Sequence, residues 1–588
     1  MHTRPVVTML LLALGIANLG QAASQKLAPE LQNLRSEETV DVIVQYRQAP
    51  TQAHHSRVLE MGGELKHSLD IIRAAHYSIS ASQLEELSND PDVEFISPDH
   101  AVTATANLLY TGRPDYGWRT VGADLASSVF GLDGSGVGIA LIDSGVDALV
   151  DLKDAAGRDR VVYRATLVPF SPYTDSYGHG DHVAGILAGD GSQSAGATST
   201  YMVRGIAPNA HIVSFRVLNN NGSGTDSAVI AAIQQAIWLK SKYNIRVINL
   251  SLGRPVTSSY LVDPLCQAVQ QAWQAGIVVV VAAGNSGRDN SHGTNGYGTI
   301  TAPGNSPYVI TVGAMNTVGT ETPTDDKIAS YSSKGPTAID HIIKPDLVAP
   351  GNRVFSLTQG TTWFAMTYPG NDVSRSVISS LNTLAASPYY VMSGTSMAAP
   401  MVSGAAALMI QKNPSLTPDQ VKARLMKTAT KFAPGFSTVT DPVTGITYTD
   451  EYDVFTIGAG YLNIPAALSN NDLASGPALS PTAFYDATSK NVYLGLAGTA
   501  AIWGTAATWG TRGVWGSAAI WGTAAIWGTS VFVNSNAAIW GTGSVWGTAA
   551  IWGTGTPQAF AAIWGTAAIW GTAQDATEAT TIAINGDN

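Results

Sequence analysis

Short apolar runs alternate with amphipathic helical segments from about residue 108 to 470, and this alternation limits the choice of fold more than any other feature. The runs are nearly continuous in apolar residues and are bounded by Gly, Asn or Ser, as are strands whose sheet is covered on both faces. The alternation therefore predicts an α/β fold built on a doubly wound parallel sheet. Predicted strands cover 137–142, 211–217, 247–252, 277–283 and 309–314, and predicted helices cover 227–240 and 261–275.

The composition excludes some kinds of partner and of covalent cross-link. Charged residues make up only 13% of the 588-residue chain and the formal net charge is −11, which argues against binding to nucleic acid or to an anionic membrane surface. The single cysteine, Cys266, cannot form an internal disulfide. It lies in an apolar helical pattern, so we expect a buried, unreactive thiol.

Residues 1–23 have the pattern of a secretory signal peptide. Arg4 provides the basic start, an apolar run follows over 6–17, and the small residues Ala22 and Ala23 offer a cleavage site. The run is too short to span a bilayer. We therefore expect a secreted, extracellular protein, with a short N-terminal anchor as the alternative.

Residues 24–105 form a separate segment that is richer in charge. Strand-like patterns cover 40–46, 74–80 and 93–98, with helical stretches at 54–62 and from about residue 82. This order indicates a small α+β unit of βαββαβ, ferredoxin-like topology.

The C-terminal part of the chain is repetitive. A Ser-, Ala- and Gly-rich linker is expected over 471–499, the hexapeptide Ala-Ala-Ile-Trp-Gly-Thr recurs over 500–575, and a tail follows over 576–588. Ten of the 14 tryptophans lie in the repeat, mostly six residues apart, so an extended chain presents them on one face. The spacing favours a β repeat. The alternatives are a module that attaches to cell surfaces or glycans, and a flexible tail.

Four polar side chains stand where strands end or helices begin. Asp143 directly follows an apolar strand, Asn285 ends another, and His179 lies at the start of a helix within Gly-His-Gly-Asp-His-Val-Ala-Gly. Ser396 opens an Ala-rich helix within Gly-Thr-Ser-Met-Ala-Ala-Pro, which places its hydroxyl at a helix N-terminus. Such groups collect beyond the carboxyl ends of the strands in an open α/β sheet. Peptide hydrolysis by a serine needs a nucleophile, a base, a group that orients the base, and donors for the oxyanion.

The chain order Asp, His, Ser is that of subtilisin, and the segments around these residues resemble the subtilisin-like serine proteases, or subtilases. An α/β-hydrolase esterase would have the reverse order and a Gly-x-Ser-x-Gly elbow, and neither is present. The resembling segments, which together cover essentially all of 115–470, are 140–145, 179–185, 205–208, 251–253, 283–285, 331–336, 344–351 and 394–400.

The resemblance implies a role for each site residue. Ser396 would be the nucleophile, His179 the general base and Asp143 the residue that orients the base. Asn285 and the backbone N–H of Ser396 would form the oxyanion hole. The substrate backbone would pair with an extended segment, and the substrate-binding residues that the resemblance implies are Ser251, Leu252, Gly253, Ala283 and Gly284.

The resemblance also implies a domain organisation. Residues 24–105 would be a propeptide that assists folding and inhibits the enzyme, residues 108–470 would be the catalytic domain, and self-cleavage would fall between residues 102 and 109. The substrates would be proteins or peptides. Catalysis would need no cofactor or metal, although the family makes structural calcium an option. The alternative function is a surface-attached binding protein in which the tryptophan repeat is the main functional module.

Two departures from the subtilase pattern stand out. Asp181 occupies a position where the family usually has Thr, and we expect its side chain to face solvent rather than the base. An insert over about 357–389 precedes the nucleophile and contains Trp363 and Phe364. It is either a rim of the substrate site or a surface excursion.

Overall fold

The computed structural model describes residues 26–104 except 33, then 115–486 except 292, 381–386, 432–435, 442–443 and 475, and finally 491–495, 531–532 and 587. The predicted signal peptide, most of the tail and all of the tryptophan repeat except residues 531–532 lie outside the described residues. No helix within these ranges has both the length and the apolar character needed to cross a membrane.

Residues 26–104, the N-terminal unit, form a four-stranded antiparallel sheet in the order β2-β3-β1-β4. The element order is the βαββαβ order that the sequence predicts. Val42, Val44 and Ile96 lie in its own hydrophobic core. The elements are β1 (Thr39–Tyr46), α1 (Gln52–Glu60), β2 (Glu64–Leu69), β3 (Ala74–Ser80), α2 (Leu84–Ser88), β4 (Val93–Pro98) and a further strand, β5 (Ala101–Ala104).

The catalytic-domain region is built on an eight-stranded sheet flanked by helices. In chain order its elements are α3 (Gly117–Thr120), α4 (Ala123–Ser128), β6 (Gly138–Asp143), β7 (Val161–Thr166), α5 (His179–Ala188), β8 (His211–Arg216), β9 (Ser223–Thr225), α6 (Asp226–Leu239), β10 (Ile245–Leu250), β11 (Leu252–Gly253), α7 (Pro264–Gln274), β12 (Val278–Ala282), β13 (Ile310–Asn316), β14 (Lys327–Ile328), β15 (Leu347–Pro350), β16 (Val354–Leu357), α8 (Trp363–Thr367), α9 (Arg375–Ile378), β17 (Tyr389–Met392), α10 (Thr395–Lys412), α11 (Pro418–Thr428), β18 (Phe436–Thr440), β19 (Thr447–Glu451) and α12 (Ile464–Ser469).

The sheet order is β14-β13-β12-β10-β6-β8-β7, with β15 also paired to β13. Every pair is parallel except β13 with the short edge strand β14. The parallel sheet predicted from the sequence is therefore confirmed, with one antiparallel edge added. Each predicted strand lies within two residues of an observed one, because buried Val and Ile runs identify central strands clearly.

The expected linker over 471–499 is not a plain connection. It contains the strands β20 (Thr482–Asp486) and β21 (Asn491–Gly495), and a third strand, β22 (Val531–Phe532), pairs with β21. The backbone N–H of Ala483 donates to the carbonyl of His341 at 2.8 Å, so this segment is attached to the catalytic domain. The linker is predicted from the Ser, Ala and Gly content of this segment. That prediction overlooks its aromatic and β-branched residues, which favour strands.

Candidate active site

Asp143 is the last residue of β6, at the carboxyl edge of the parallel sheet. Its side chain is buried, and Oδ1 accepts hydrogen bonds from the backbone N–H of Ser144 at 2.7 Å and from the Ser144 hydroxyl at 3.2 Å. A carboxylate inside a protein needs such partners, because an uncompensated buried charge is costly. The end of the strand therefore fixes the position of this carboxylate.

His179 is the first residue of α5, and its imidazole lies against Asp143. The Nδ1–Oδ1 distance is 2.7 Å and both side chains are buried. With the carboxylate as acceptor, Nδ1 carries the hydrogen and Nε2 presents its lone pair. Nε2 has no hydrogen-bond partner among the described residues. The ring is therefore in the tautomer in which Nε2 can accept a proton.

The turn before His179 requires glycine. Gly178 has a φ of 102°, and a Cβ there would lie 2.6 Å from Oγ1 of Thr362. An L side chain would be strained by the backbone and would collide with the insert. This glycine allows the chain to enter α5 with the imidazole directed at Asp143.

Ser396 is the second residue of α10, a helix of 18 residues that packs against β10, β12, β13 and β15. Its hydroxyl donates to the carbonyl of Ser251 at 3.0 Å, while the Ser251 hydroxyl donates to the carbonyl of Ser396 at 2.8 Å. These two bonds hold the start of α10 against the end of β10. The helix N-terminus places backbone N–H groups beside the hydroxyl.

The side-chain amide of Asn285 is oriented by the residue that precedes the serine. Its Oδ1 accepts from the backbone N–H and from the hydroxyl of Thr395, both at 2.9 Å. Since the oxygen is held in this way, Nδ2 is the donor that an oxyanion would meet. Ala283 and Gly284 lead to this position, with their backbone N–H groups donating to the Val312 carbonyl and to the Thr395 hydroxyl, respectively.

The predicted substrate strand has a partner in the structure. β11, which consists of Leu252 and Gly253, pairs antiparallel with β5 of the N-terminal unit, with Leu252 opposite Ala104 and Gly253 opposite Thr103. Ser251 directly precedes β11 and accepts the Ser396 hydrogen bond. An extended segment of the same chain therefore lies along β11. We call the space beside β11 that β5 occupies the substrate groove.

The other edge of the groove is formed by β9, a strand that the sequence analysis did not predict. β9 (Ser223–Thr225) pairs antiparallel with β5, which makes β5 the central strand of three. The polar, Gly-rich stretch before α6 was the available signal, but it is equally typical of a turn.

Two buried carboxyl groups lie behind His179. Asp175 accepts hydrogen bonds from the backbone N–H groups of Tyr177, Gly178 and Asp181, and burial raises its pKa to about 6. Asp181 is fully buried, so the expectation that it faces solvent is wrong. Burial and the neighbouring Asp175 carboxylate raise the pKa of Asp181 well above its ordinary value. Helix α5 buries every one of its side chains, and the polar side chain alone could not reveal this.

The insert packs onto the segment that leads to His179. Its backbone N–H groups at Trp363 and Phe364 donate to the carbonyls of Ser176 and Tyr177. The Trp363 ring stacks on Tyr177, with centroids 5.5 Å apart. The insert is therefore tied to the site rather than being a separate surface excursion.

Two further sequence expectations concern Cys266 and metal binding. Cys266 is buried as expected, and burial raises the pKa of its thiol well above the ordinary value. Within the described ranges, no group of three or more His, Cys, Asp or Glu side chains could hold a metal ion. The acidic side chains behind His179 accept backbone N–H bonds instead, so we assign no calcium ligands.

The fold and these side chains define a candidate serine hydrolase with its Asp, His and Ser on a parallel α/β sheet. The Subtilase family model matches residues 134–452, more than half of the chain. The chain therefore belongs to the subtilase family, and its catalytic domain is that of a subtilisin-like serine endopeptidase. The family resemblance inferred from the sequence is confirmed.

Similar proteins fit this assignment. The chain is 39% identical over 310 residues to serine protease AprX of Bacillus subtilis, covering 51% of this chain and 62% of AprX. It is 33% identical over 382 residues to subtilisin E of the same species, covering 64% of this chain and 81% of subtilisin E. Among solved structures, fervidolysin from Fervidobacterium pennivorans, a keratinolytic enzyme related to subtilisin, has a TM-score of 0.54 at 21% identity, covering 76% of this chain and 63% of fervidolysin.

Proposed function

We propose that this protein is a secreted serine endopeptidase of broad specificity that is made as a zymogen and cleaves itself. The observation that carries the proposal is the Nδ1–Oδ1 bond of 2.7 Å between His179 and Asp143, beside a groove that holds β5 of the same chain. Protein and peptide substrates would replace β5 after processing.

The reaction follows from the positions of the groups. His179 Nε2 takes the proton of the Ser396 hydroxyl while Oγ attacks the scissile carbonyl carbon, and Asp143 stabilises the resulting imidazolium. Asn285 Nδ2 and the backbone N–H of Ser396 bind the oxyanion. The tetrahedral intermediate expels the amine, which takes the proton from His179, and a water then hydrolyses the acyl-enzyme. The chemistry uses protein groups and a water molecule and requires no cofactor.

Ser396 must change its hydrogen bond before it attacks. In the structure its hydroxyl donates to the Ser251 carbonyl at 3.0 Å, and a rotation about Cα–Cβ would redirect it towards His179. Catalytic hydrogen bonds often form fully only with substrate bound.

Broad specificity follows from strand addition. β9 and β11 offer backbone groups on both sides of the groove, and main-chain hydrogen bonds do not distinguish side chains. A substrate is therefore selected chiefly for its ability to become extended.

The N-terminal unit fits the role of an inhibitor held in place by several contacts. The Asp99 carboxylate accepts from the backbone N–H of Ser227 at 2.7 Å and from its hydroxyl. Gln45 Nε2 donates to the carbonyl of Val262 at 2.7 Å. These contacts would place the following residues in the groove, and we propose self-cleavage within residues 102–109.

The remaining assignments complete the proposal. Residues 1–23 would direct export, and the tryptophan repeat would attach the secreted enzyme to a cell surface or glycan. The comparisons give no support to the alternative in which the repeat is the main functional module.

The test compares the full chain with its Ser396→Ala variant and with Ser415→Ala as a matched control at an exposed serine. Intact mass and casein hydrolysis are followed for all three. We expect the parent chain and Ser415→Ala to lose the N-terminal unit and to hydrolyse casein, while Ser396→Ala stays full-length and inactive. A Ser396→Ala chain that processes itself and hydrolyses casein would overturn the proposal.

A further inference from the structure

The penultimate residue of the chain is buried in the catalytic domain. Asp587 has no exposed surface. Its Oδ1 accepts from Arg288 Nη2 at 2.8 Å and from the Ser330 hydroxyl at 2.7 Å, and its Oδ2 accepts from the backbone N–H of Ser330 at 2.6 Å. Both carboxylate oxygens are therefore satisfied by the domain.

The backbone of Asp587 is bound as well. Its N–H donates to Asn352 Oδ1 at 2.8 Å, and its carbonyl accepts from Asn352 Nδ2 at 3.0 Å. A side-chain amide that bonds both main-chain groups of one residue imitates a neighbouring strand. The site thus binds both the main chain and the acidic side chain of this residue.

The pocket is formed by buried groups and is not a surface patch. The Arg288 side chain is 4% exposed and lies over the rings of Tyr448 and Tyr331, at 5.2 and 6.0 Å from their centroids. Asp441 also pairs with Arg288, at 3.4 Å. A buried guanidinium is costly unless its charge is balanced. The Asp587 carboxylate therefore supplies part of the negative charge that balances Arg288.

The pocket adjoins both segments that carry the candidate active-site groups. Arg288 follows Asn285 by three residues. Asn352 follows Gly351, whose carbonyl accepts from the backbone N–H of Gly394 at 2.8 Å, two residues before Ser396. The Tyr331 hydroxyl donates to the same Gly351 carbonyl at 3.0 Å.

We propose that this pocket is a recognition site for the chain's own C-terminal tail, with Asp587 as the anchoring residue. The tail then joins the Arg288 and Asn352 segments and stabilises the catalytic domain. Asp587 and the segment around Ala483, which lie on either side of the tryptophan repeat in the sequence, are both hydrogen-bonded to the catalytic domain. The occupant is intramolecular, since one chain supplies both the pocket and the ligand.

The experiment uses the full chain carrying Ser396→Ala, with its intact mass checked before use. Asp587→Ala is compared with Asp575→Ala, which removes the same charge from the same C-terminal segment. We expect Asp587→Ala to lower the Tm by about 3 °C or more, because charged hydrogen bonds inside a pocket are lost, and Asp575→Ala to leave the Tm unchanged.

Peptide binding separates a specific site from a general loss of stability. A fluorescein-labelled peptide with the sequence of residues 581–588 should bind the Asp587→Ala chain and restore its Tm, whereas the same peptide with Asp587→Asn should bind at least tenfold more weakly. The chain with an intact tail should not bind the peptide.

Three results would overturn the proposal. One is an equal Tm for the Asp587→Ala and Asp575→Ala chains. Another is the absence of peptide binding to the Asp587→Ala chain. The third is a dimer that dissociates on Asp587→Ala, which would show that the tail docks on a second copy. A clipped Ser396→Ala chain would instead count against the proposed function.

Discussion

At the scale of single residues, the candidate site depends on where elements begin and end. Asp143 ends β6, His179 begins α5 and Ser396 lies in the first turn of α10. The sequence predicts these three positions because apolar runs end abruptly at them. It does not predict that Asp181 is buried, because burial depends on what packs around α5 and not on the residue itself.

Replacement of Asp143 by Asn should lower kcat by about 10⁴-fold, because the amide no longer fixes the His179 tautomer or stabilises the imidazolium. Steady-state hydrolysis of a chromogenic peptide would measure this. The matched control is Asp325→Asn, a change at an exposed carboxylate in the same domain. A loss of less than tenfold in Asp143→Asn would contradict the assigned role.

Replacement of Asp181 by Asn should make the chain more stable at alkaline pH. The pKa of Asp181 is raised in the folded state. Its contribution to the free energy of unfolding is therefore fully present below the ordinary pKa near 4 and is lost as the pH rises through the raised pKa. Asparagine keeps the oxygen that accepts from the Asp147 N–H but has no proton to lose. Tm values between pH 5 and 9, in the Ser396→Ala background, should diverge in favour of the variant. Parallel curves would contradict this account.

At the scale of elements, the substrate groove is occupied by β5, a strand of the N-terminal unit. β5 lies between β9 and β11, and the sequence places β11 but not β9. The family resemblance, and not periodicity, places β11, because strands of two or three residues carry too little periodicity to be recognised alone. The central strands, by contrast, are predicted to within two residues.

The register of β5 sharpens the expected cleavage point. Ala104 is opposite Leu252, the residue that directly follows Ser251, and the Ser251 carbonyl is the acceptor of the Ser396 hydroxyl, so β5 ends one position short of the candidate nucleophile's partner. We expect cleavage after Thr105 and a mature chain that begins at Ala106. N-terminal sequencing of the processed protein would show this. A mature N-terminus outside residues 102–109 would contradict the register.

His100 should make the attachment of the N-terminal unit depend on pH. Burial alone would lower its pKa, but the carboxylates of Asp226 at 3.4 Å and Glu30 at 3.6 Å outweigh that effect and the nearby Arg254 charge, and raise the pKa to about 9. Protonated His100 therefore stabilises the folded chain by up to about 3 kcal/mol. This contribution is fully present below about pH 6.5 and is lost as the pH rises through about 9.

Chemical denaturation of the Ser396→Ala chain at pH 6.5, 8 and 10 would measure this effect. His100→Gln should be destabilising at pH 6.5 and nearly neutral at pH 10. The control is His67→Gln, at an exposed position of β2. A destabilisation by His100→Gln that does not change with pH would contradict the prediction.

At the scale of the whole molecule, the chain combines an N-terminal α+β unit, a catalytic domain and a tryptophan-rich sequence repeat in one polypeptide. The division near residue 105 is a prediction from the change in sequence pattern, and the βαββαβ order of the elements before it is the predicted one. The strands within 471–499 and the docking of Asp587 do not follow from the sequence, because both depend on contacts with distant segments. Such contacts leave no local periodicity.

The most direct test of the central claim is to treat the purified protein with a serine-directed fluorophosphonate and locate the label by peptide mass spectrometry. The account predicts one label per mature chain, on Ser396, with loss of casein hydrolysis in proportion to labelling and no labelling in His179→Ala. A protein that hydrolyses casein while Ser396 remains unlabelled would contradict the account.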